Sequence, residues 1–186
     1  GAGKTTLFNV ITGTLPTSSG NVRFQGKQIT GKAVHEINKM GLARTLQIKS
    51  VFSGMTVLEN LWIAAQSRDG IFKPFQSAHK LKRANETAER LCEELGLIHI
   101  ANQEASNLSY GDIALLEMGL ALATEPKLLL LDEPICGMGP AETEQTVQKI
   151  QDLSQKIDIV IIEHDIEVVF DISEDIIVMN LGKILA

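Results

Sequence analysis

The chain has 186 residues, with 17 Lys+Arg against 23 Asp+Glu and a net charge of -6. That length suits one α/β domain with a sizeable core, and the acidic balance disfavours nucleic acid, whose binders carry a basic surplus. At 44% apolar and 22% charged it is neither disordered nor fibrous, and no stretch approaches the ~18 consecutive apolar residues of a membrane span.

In chain order, Gly1-Ala2-Gly3-Lys4-Thr5-Thr6 opens without Met in the middle of a phosphate loop, so the sequence reads as a fragment truncated at both ends. Periodicity predicts a helix over Lys4 to Ile11 stopped by Gly13, a short strand over Asn21 to Gln25 before a turn at Gly26-Lys27, a helix over 33–39 and a strand over Leu42 to Leu46. Thr56-Val57-Leu58-Glu59 fits a capping box that starts a helix. After the Gly/Pro-punctuated stretch 69–74, Leu81, Ala84, Ala88, Leu91 and Leu95 recur at steps of 3 and 4 and predict a long amphipathic helix stopped by Gly96.

Further on, Leu128 to Leu131, Ile159 to Ile162 and Ile176 to Met179 read as strands, the first two without polar alternation, as expected of parallel strands buried on both faces. A helix over Glu142 to Gln155 separates the first two. Cys92 and Cys136 read as ordinary small apolar residues in a reducing compartment.

The chemistry lies in three places. Gly1 to Thr6 match the second half of the pattern G-x-x-x-x-G-K-[ST]: backbone amides of Gly1, Ala2, Gly3 and their neighbours close on phosphate oxygens, Lys4 meets the β/γ-phosphates, and the Thr5 hydroxyl, beside Thr6, is a magnesium ligand. Asp132 and Glu133 follow four leucines, so a strand delivers both carboxylates to the carboxyl edge of the sheet, where open α/β sheets bind ligands. Asp132 suits magnesium or its water, and Glu133 suits polarisation of water attacking the γ-phosphate. Alone, an Asp-Glu pair would favour a solvated strand end, but the run of four leucines and the stop at Pro134 narrow that reading, and with Lys4 upstream the functional one leads. In Leu108-Ser109-Tyr110-Gly111-Asp112, Ser109 is a good N-cap and the segment is expected to present free amides to an anion.

That third element resembles the signature loop of the ATP-binding cassette (ABC) ATPases, Leu-Ser-Gly-Gly-Gln, and Asp112 stands twenty positions before Asp132, as in that family. Gln47 is similar to the family's Q-loop glutamine and His164, after Glu163, to its switch histidine, which contacts the γ-phosphate. The resemblance implies a P-loop NTPase sheet, mainly parallel and flanked by helices, with an ATPase core at 1–52 and 126–186 and a helical subdomain at 53–125. It implies ATP and Mg2+ as cofactors, Gln47 among the magnesium ligands, and Leu108 to Asp112 as contacts to nucleotide. It also implies that the strand preceding the phosphate loop is central to the sheet, so residues 1–186 alone are expected not to hydrolyse ATP.

Residues 43–47, 55–60, 105–112 and 162–165 together resemble the ATP-binding subunits of branched-chain amino-acid importers, and the related urea and amide importers share much of the pattern. The implied partners are a second ATPase subunit, transmembrane permeases and, indirectly, a solute-binding protein, with the chain peripheral on the cytoplasmic face of the membrane. Two segments depart from the family: Ile113-Ala114-Leu115, where polar and basic residues are usual, and Cys136-Gly137-Met138-Gly139-Pro140 in the D-loop. A soluble ABC ATPase of chromosomes or repair would need a long coiled coil between Gln47 and Leu108, which about sixty residues cannot supply. An inert cassette is disfavoured by Glu133 and His164.

Overall fold

Left-handed backbone at Gly3, φ +91°, turns the chain into α1 (Lys4–Ile11), a conformation a side chain would strain. The computed structural model describes residues 2–45, 51–67 and 78–185, with residues 78–81 followed by backbone alone. Gly1, Gln47 and the stretch 69–74 lie outside these residues.

After α1 come β1 (Arg23–Phe24), β2 (Lys27–Gln28), α2 (Val34–Lys39) and β3 (Leu42–Arg44). The next described elements are α3 (Val57–Ser67), α4 (Ala78–Glu94), α5 (Tyr110–Leu122) and β4 (Leu128–Asp132). The chain continues through α6 (Pro140–Ser154), β5 (Asp158–Ile162), α7 (Ile166–Ile172), β6 (Met179–Asn180) and β7 (Lys183–Ile184). The capping box at the start of α3 forms as expected: the Thr56 amide and hydroxyl both donate to Glu59 Oε2, at 2.8 and 2.9 Å, and the Glu59 amide donates back to Thr56 Oγ1 at 3.2 Å.

Strands β3, β4 and β5 form a parallel sheet in that order, Leu42 opposite Leu128 and Asp132 opposite Ile162. They are contiguous, with β4 in the middle and β3 and β5 at the edges of the described sheet.

Side-chain alternation along the sheet feeds two cores. Ala43, Leu129 and Leu131 face a large cluster built with α3, α4, α5 and α6. Leu42, Leu130 and Ile162 face a smaller cluster with Phe8 of α1 and Ile37 of α2. Helices thus cover both faces, as the continuous apolar run of β4 requires.

Two strand expectations need correction. The run without polar alternation in β5 is not buried on both faces: the smaller cluster takes Ile162 but leaves Val160 45% exposed. Of the strand expected over Ile176 to Met179, only Met179 falls in a strand; it stands opposite Ile184, and Asn180 opposite Lys183, in an antiparallel hairpin with β7. Strands β1 and β2 make a second such hairpin. Both turns put two residues at positive φ, Gln25-Gly26 and Leu181-Gly182, the geometry that matches the right-handed twist of the flanking strands.

Candidate functional site

Three segments distant in sequence meet at the carboxyl ends of β4 and β5. Lys4, the first residue of α1, donates from Nζ to the backbone carbonyl of Glu163 at 3.0 Å. The phosphate-loop lysine therefore stands at the end of β5, one strand away from Asp132 and Glu133. The opposite side of the loop is also held: the Gly182 amide donates to the Ala2 carbonyl at 2.9 Å, and a Cβ on Gly3 would come within 3.2 Å of Gly182 Cα. Thr5 is half-buried and Thr6 exposed at the start of the helix.

Glu133 has φ +51° and donates its amide to the Ile162 carbonyl at 2.8 Å. Left-handed backbone in a non-glycine residue is a local strain that the surrounding bonds must hold, and here it sits on the residue expected to polarise water. The Glu163 side chain is fully buried, accepting from the Ile135 amide and the His164 amide, both at 3.2 Å. Burial pushes its carboxyl above the ordinary value, with the two amides pulling the other way. His164 itself is exposed, its Nδ1 3.7 Å from Glu163 Oε2.

Asp132 is buried. Its Oδ2 accepts from Arg44 Nη2 at 2.7 Å, while Oδ1 has no hydrogen-bond partner among the described residues. A buried orphan oxygen at a strand end beside a phosphate loop fits a hard cation or its water, and among the described residues no group of three or more acidic, His or Cys side chains forms a separate metal cage.

The signature segment folds as expected in one respect and not in another. Ser109 caps α5, accepting from the Asp112 amide at 3.2 Å and donating to Asp112 Oδ2 at 2.9 Å. The amides are not free, however: the Gly111 amide donates to Glu142 Oε1 at 3.3 Å, and Glu142 Oε2 accepts from the Gly139 amide at 3.2 Å. One carboxylate therefore spans the first turns of α5 and α6, and the Gly139 amide first, then the Ser109 hydroxyl and the Gly111 amide, hold its pKa below the ordinary value. Leu108 is half-buried and Tyr110 60% exposed. A cavity of about 360 Å³ separates Tyr110, Ile113 and Ala114 of α5 from Asp132, Glu133 and Pro134, so the unusual apolar residues at 113–114 line the approach to the carboxylate pair.

Arg44, Asn60, Glu142 and Glu163 carry structural work that the motifs did not assign. Asn60, fully buried, accepts from the Phe52 amide and donates to the Phe52, Met55 and Thr56 carbonyls, tying residues 52–56 to α3. Its signal in the sequence was a polar residue on the apolar stripe of a helix.

A parallel sheet covered by helices on both faces, with Lys4 at the start of α1 brought to its carboxyl edge, is the fold of a P-loop nucleotide-binding domain. The ABC transporter family matches residues 1–136, and the chain belongs to it. The whole chain aligns, at 38% identity, with 76% of the high-affinity branched-chain amino acid transport ATP-binding protein LivG of Escherichia coli K12. It aligns at 37% with 76% of BraF, the corresponding protein of Pseudomonas aeruginosa. In three dimensions it covers 75% of an ATP-binding cassette from an ABC transporter, solved in its ADP conformation, at 35% identity and a TM-score of 0.83.

Proposed function

We propose that the chain is the ATP-binding and ATP-hydrolysing part of an importer of branched-chain amino acids. The observation that carries the catalytic reading is the Lys4 ammonium at the end of β5, next to the strand that presents Asp132 and Glu133. ATP would lie with its phosphates on the amides of Gly1 to Thr6 and on Lys4, and at the helix start these amides and the lysine offer charge to an anion. Thr5, Gln47 and Asp132 would hold Mg2+, which when bound neutralises charge on the phosphates. Glu133, held at the end of β4 by a strained backbone, would take the water proton, and His164, exposed just beyond β5, would contact the γ-phosphate.

The solute reading rests on the two named transport relatives, both aligned over the whole chain. In that setting a second ATPase subunit completes each site, with Leu108, Ser109, Tyr110, Gly111 and Asp112 of one subunit facing nucleotide on the other. The Gly111–Glu142 bond would then give way to a phosphate. The segment 53–125 acts as a helical subdomain beside a core of 1–52 and 126–186, and it contacts permeases at the cytoplasmic face of the membrane, with a solute-binding protein delivering cargo outside. Among the described residues no helix is long and apolar enough to cross a membrane.

The test uses the full-length protein reconstituted with the permeases encoded beside it. ATP-dependent uptake of leucine, isoleucine and valine is expected, and uptake of urea or amides without these amino acids would overturn the solute reading. Mixing Gly111→Asp and Lys4→Ala subunits tests assembly: a heterodimer keeps one intact site if the signature acts across the dimer and none if it acts within its own chain.

A further inference from the structure

Arg44 is the one charged residue of β3, and its side chain is only 8% exposed although it begins beside the apolar Leu42 and Ala43. Its guanidinium is divided between two elements of the nucleotide site. Nη2 donates to Asp132 Oδ2 at 2.7 Å and Nη1 to Asn9 Oδ1, in the phosphate-loop helix, at 2.6 Å. The Phe8 ring, also of that helix, lies 5.4 Å from Cζ, within reach of a cation–π contact. Nε has no partner among the described residues, nor has Asp132 Oδ1. The Asp132 side chain is fully buried, so Arg44 is the only charge among the described residues that pairs with it.

We infer that Arg44 is a positioning residue that stands in for the metal's charge: it balances Asp132 when no cation is bound and thereby sets how strongly the site takes Mg2+. The inference rests on the nucleotide-site reading of Asp132. Two effects of Arg44 oppose one another. Its fork fixes the carboxylate with Oδ2 engaged and Oδ1 open, which favours a cation. Its positive charge, 2.7 Å from Oδ2 of the same carboxylate, would disfavour a cation on Oδ1.

Charge decides the sign. A buried carboxylate deprived of its partner is costly to keep, and a divalent cation relieves that cost, whereas the strand β4 already restricts where the carboxylate can turn. Pairing with Arg44 therefore weakens metal binding relative to a chain without it, and stabilises the domain before nucleotide and metal arrive. Asn9 and Phe8 place the guanidinium on α1, so the compensating charge is held by the same helix that carries Lys4 and Thr5.

The test compares wild type, Arg44→Gln and Arg44→Lys in the full-length protein at pH 8, using a non-hydrolysable ATP analogue and Mn2+ as the probe metal. The affinity for the analogue is measured by calorimetry with and without Mn2+, and bound Mn2+ is counted by electron paramagnetic resonance. The ratio of the two affinities isolates the metal's contribution. In Arg44→Gln this ratio is expected to rise at least about threefold, a change of ~0.65 kcal/mol, with a lower melting temperature in the absence of metal. Arg44→Lys, which keeps the charge and loses the fork, is expected to stay within about twofold of wild type.

A ratio that falls or stays unchanged in Arg44→Gln overturns the inference, as does a Lys variant that behaves like Gln. If Arg44→Gln does not fold, the Lys variant decides alone: a metal dependence within twofold of wild type supports charge compensation, and a larger change in either direction overturns it. Failure of the wild-type protein to bind the analogue at all would instead overturn the nucleotide reading, and this inference with it.

Discussion

The Lys4 ammonium and the Glu163 carbonyl meet at 3.0 Å across 159 positions of sequence. A neutral backbone acceptor holds a lysine more weakly than a phosphate would, so the ammonium is kept in place for a ligand without being committed to its own chain. Lys4→Ala in the full-length protein is expected to weaken MgATP binding by at least about tenfold, or ~1.4 kcal/mol, while costing only about 1 kcal/mol of stability for the lost bond. Calorimetric titration together with denaturant unfolding reads both. Unchanged nucleotide affinity in a folded variant would remove Lys4 from the site.

At Glu133 the backbone and the chemistry can be separated. Glu133→Gln is expected to keep nucleotide binding and abolish turnover, because the amide cannot accept the water proton. The left-handed φ of +51° makes a further contrast available. Glu133→Gly should be more stable than Glu133→Ala by about 1 kcal/mol, since only glycine occupies that region without a Cβ clash, although both variants are inactive. Equal stability of the two would mean that the backbone relaxes when the side chain goes. Single-turnover hydrolysis near the wild-type rate in Glu133→Gln would end its assignment as the base.

What the sequence made readable, and what it hid, follows from the range of the interactions. Helices α1, α4 and α6, the start of α3 and strand β4 are written in local periodicity and caps, and what was expected of them agrees closely with what is observed. The first strand and the turn after it were expected, but its pairing with β2 and the whole second hairpin were not, because Gln25 and Leu181 give no hint of positive φ and each strand is only two residues long. The open face of β5 was hidden because burial depends on which helices reach over a strand, and an apolar run says only what it could tolerate. Among the site residues, Lys4, Asp132 and Glu133 stood out by type and spacing. Arg44 and Glu142 did not, since their partners Asp132 and Gly111 lie 88 and 31 positions away, and nothing local reveals such a pairing.

Packing under the signature helix gives another expectation. A Cβ on Gly119 of α5 would stand 2.6 Å from Leu61 Cδ2 and 2.8 Å from Leu95 Cδ1. Both leucines are fully buried, so neither can swing into solvent. Ala is the better helix former by about 1 kcal/mol, but overpacking a closed core costs about 1–3 kcal/mol, and two contacts below 3 Å place this site toward the upper part of that range. Gly119→Ala is therefore expected to lower stability by about 1 kcal/mol net. Adding Leu95→Ala to that variant should cost less than Leu95→Ala costs wild type, because the methyl fills part of the space. Additive losses in that double-mutant cycle would show that the two positions do not share a packing constraint.

The buried Glu163 carboxyl yields a pH dependence of definite sign. Burial raises its pKa above the ordinary 4.5, with a smaller push from Glu133, while the Ile135 and His164 amides and the His164 ring favour the ionised form. Between 4.5 and the raised value the folded chain holds more protons than the unfolded chain, so stability falls as pH rises through that window. Below 4.5 both states are protonated and the penalty vanishes; above the folded value both are ionised and it is complete. Glu163→Gln removes the proton from the balance. It also leaves one acceptor oxygen for two amides, a pH-independent loss of about 1–3 kcal/mol on which the changed pH dependence is superimposed, so the slope is the informative quantity. Denaturant unfolding from pH 4.5 to 7 should show a shallower decline, or a steeper rise, in the variant than in wild type. Parallel curves would mean that Glu163 ionises in the folded chain as easily as in water, and that the end of β5 is wetter than its burial indicates.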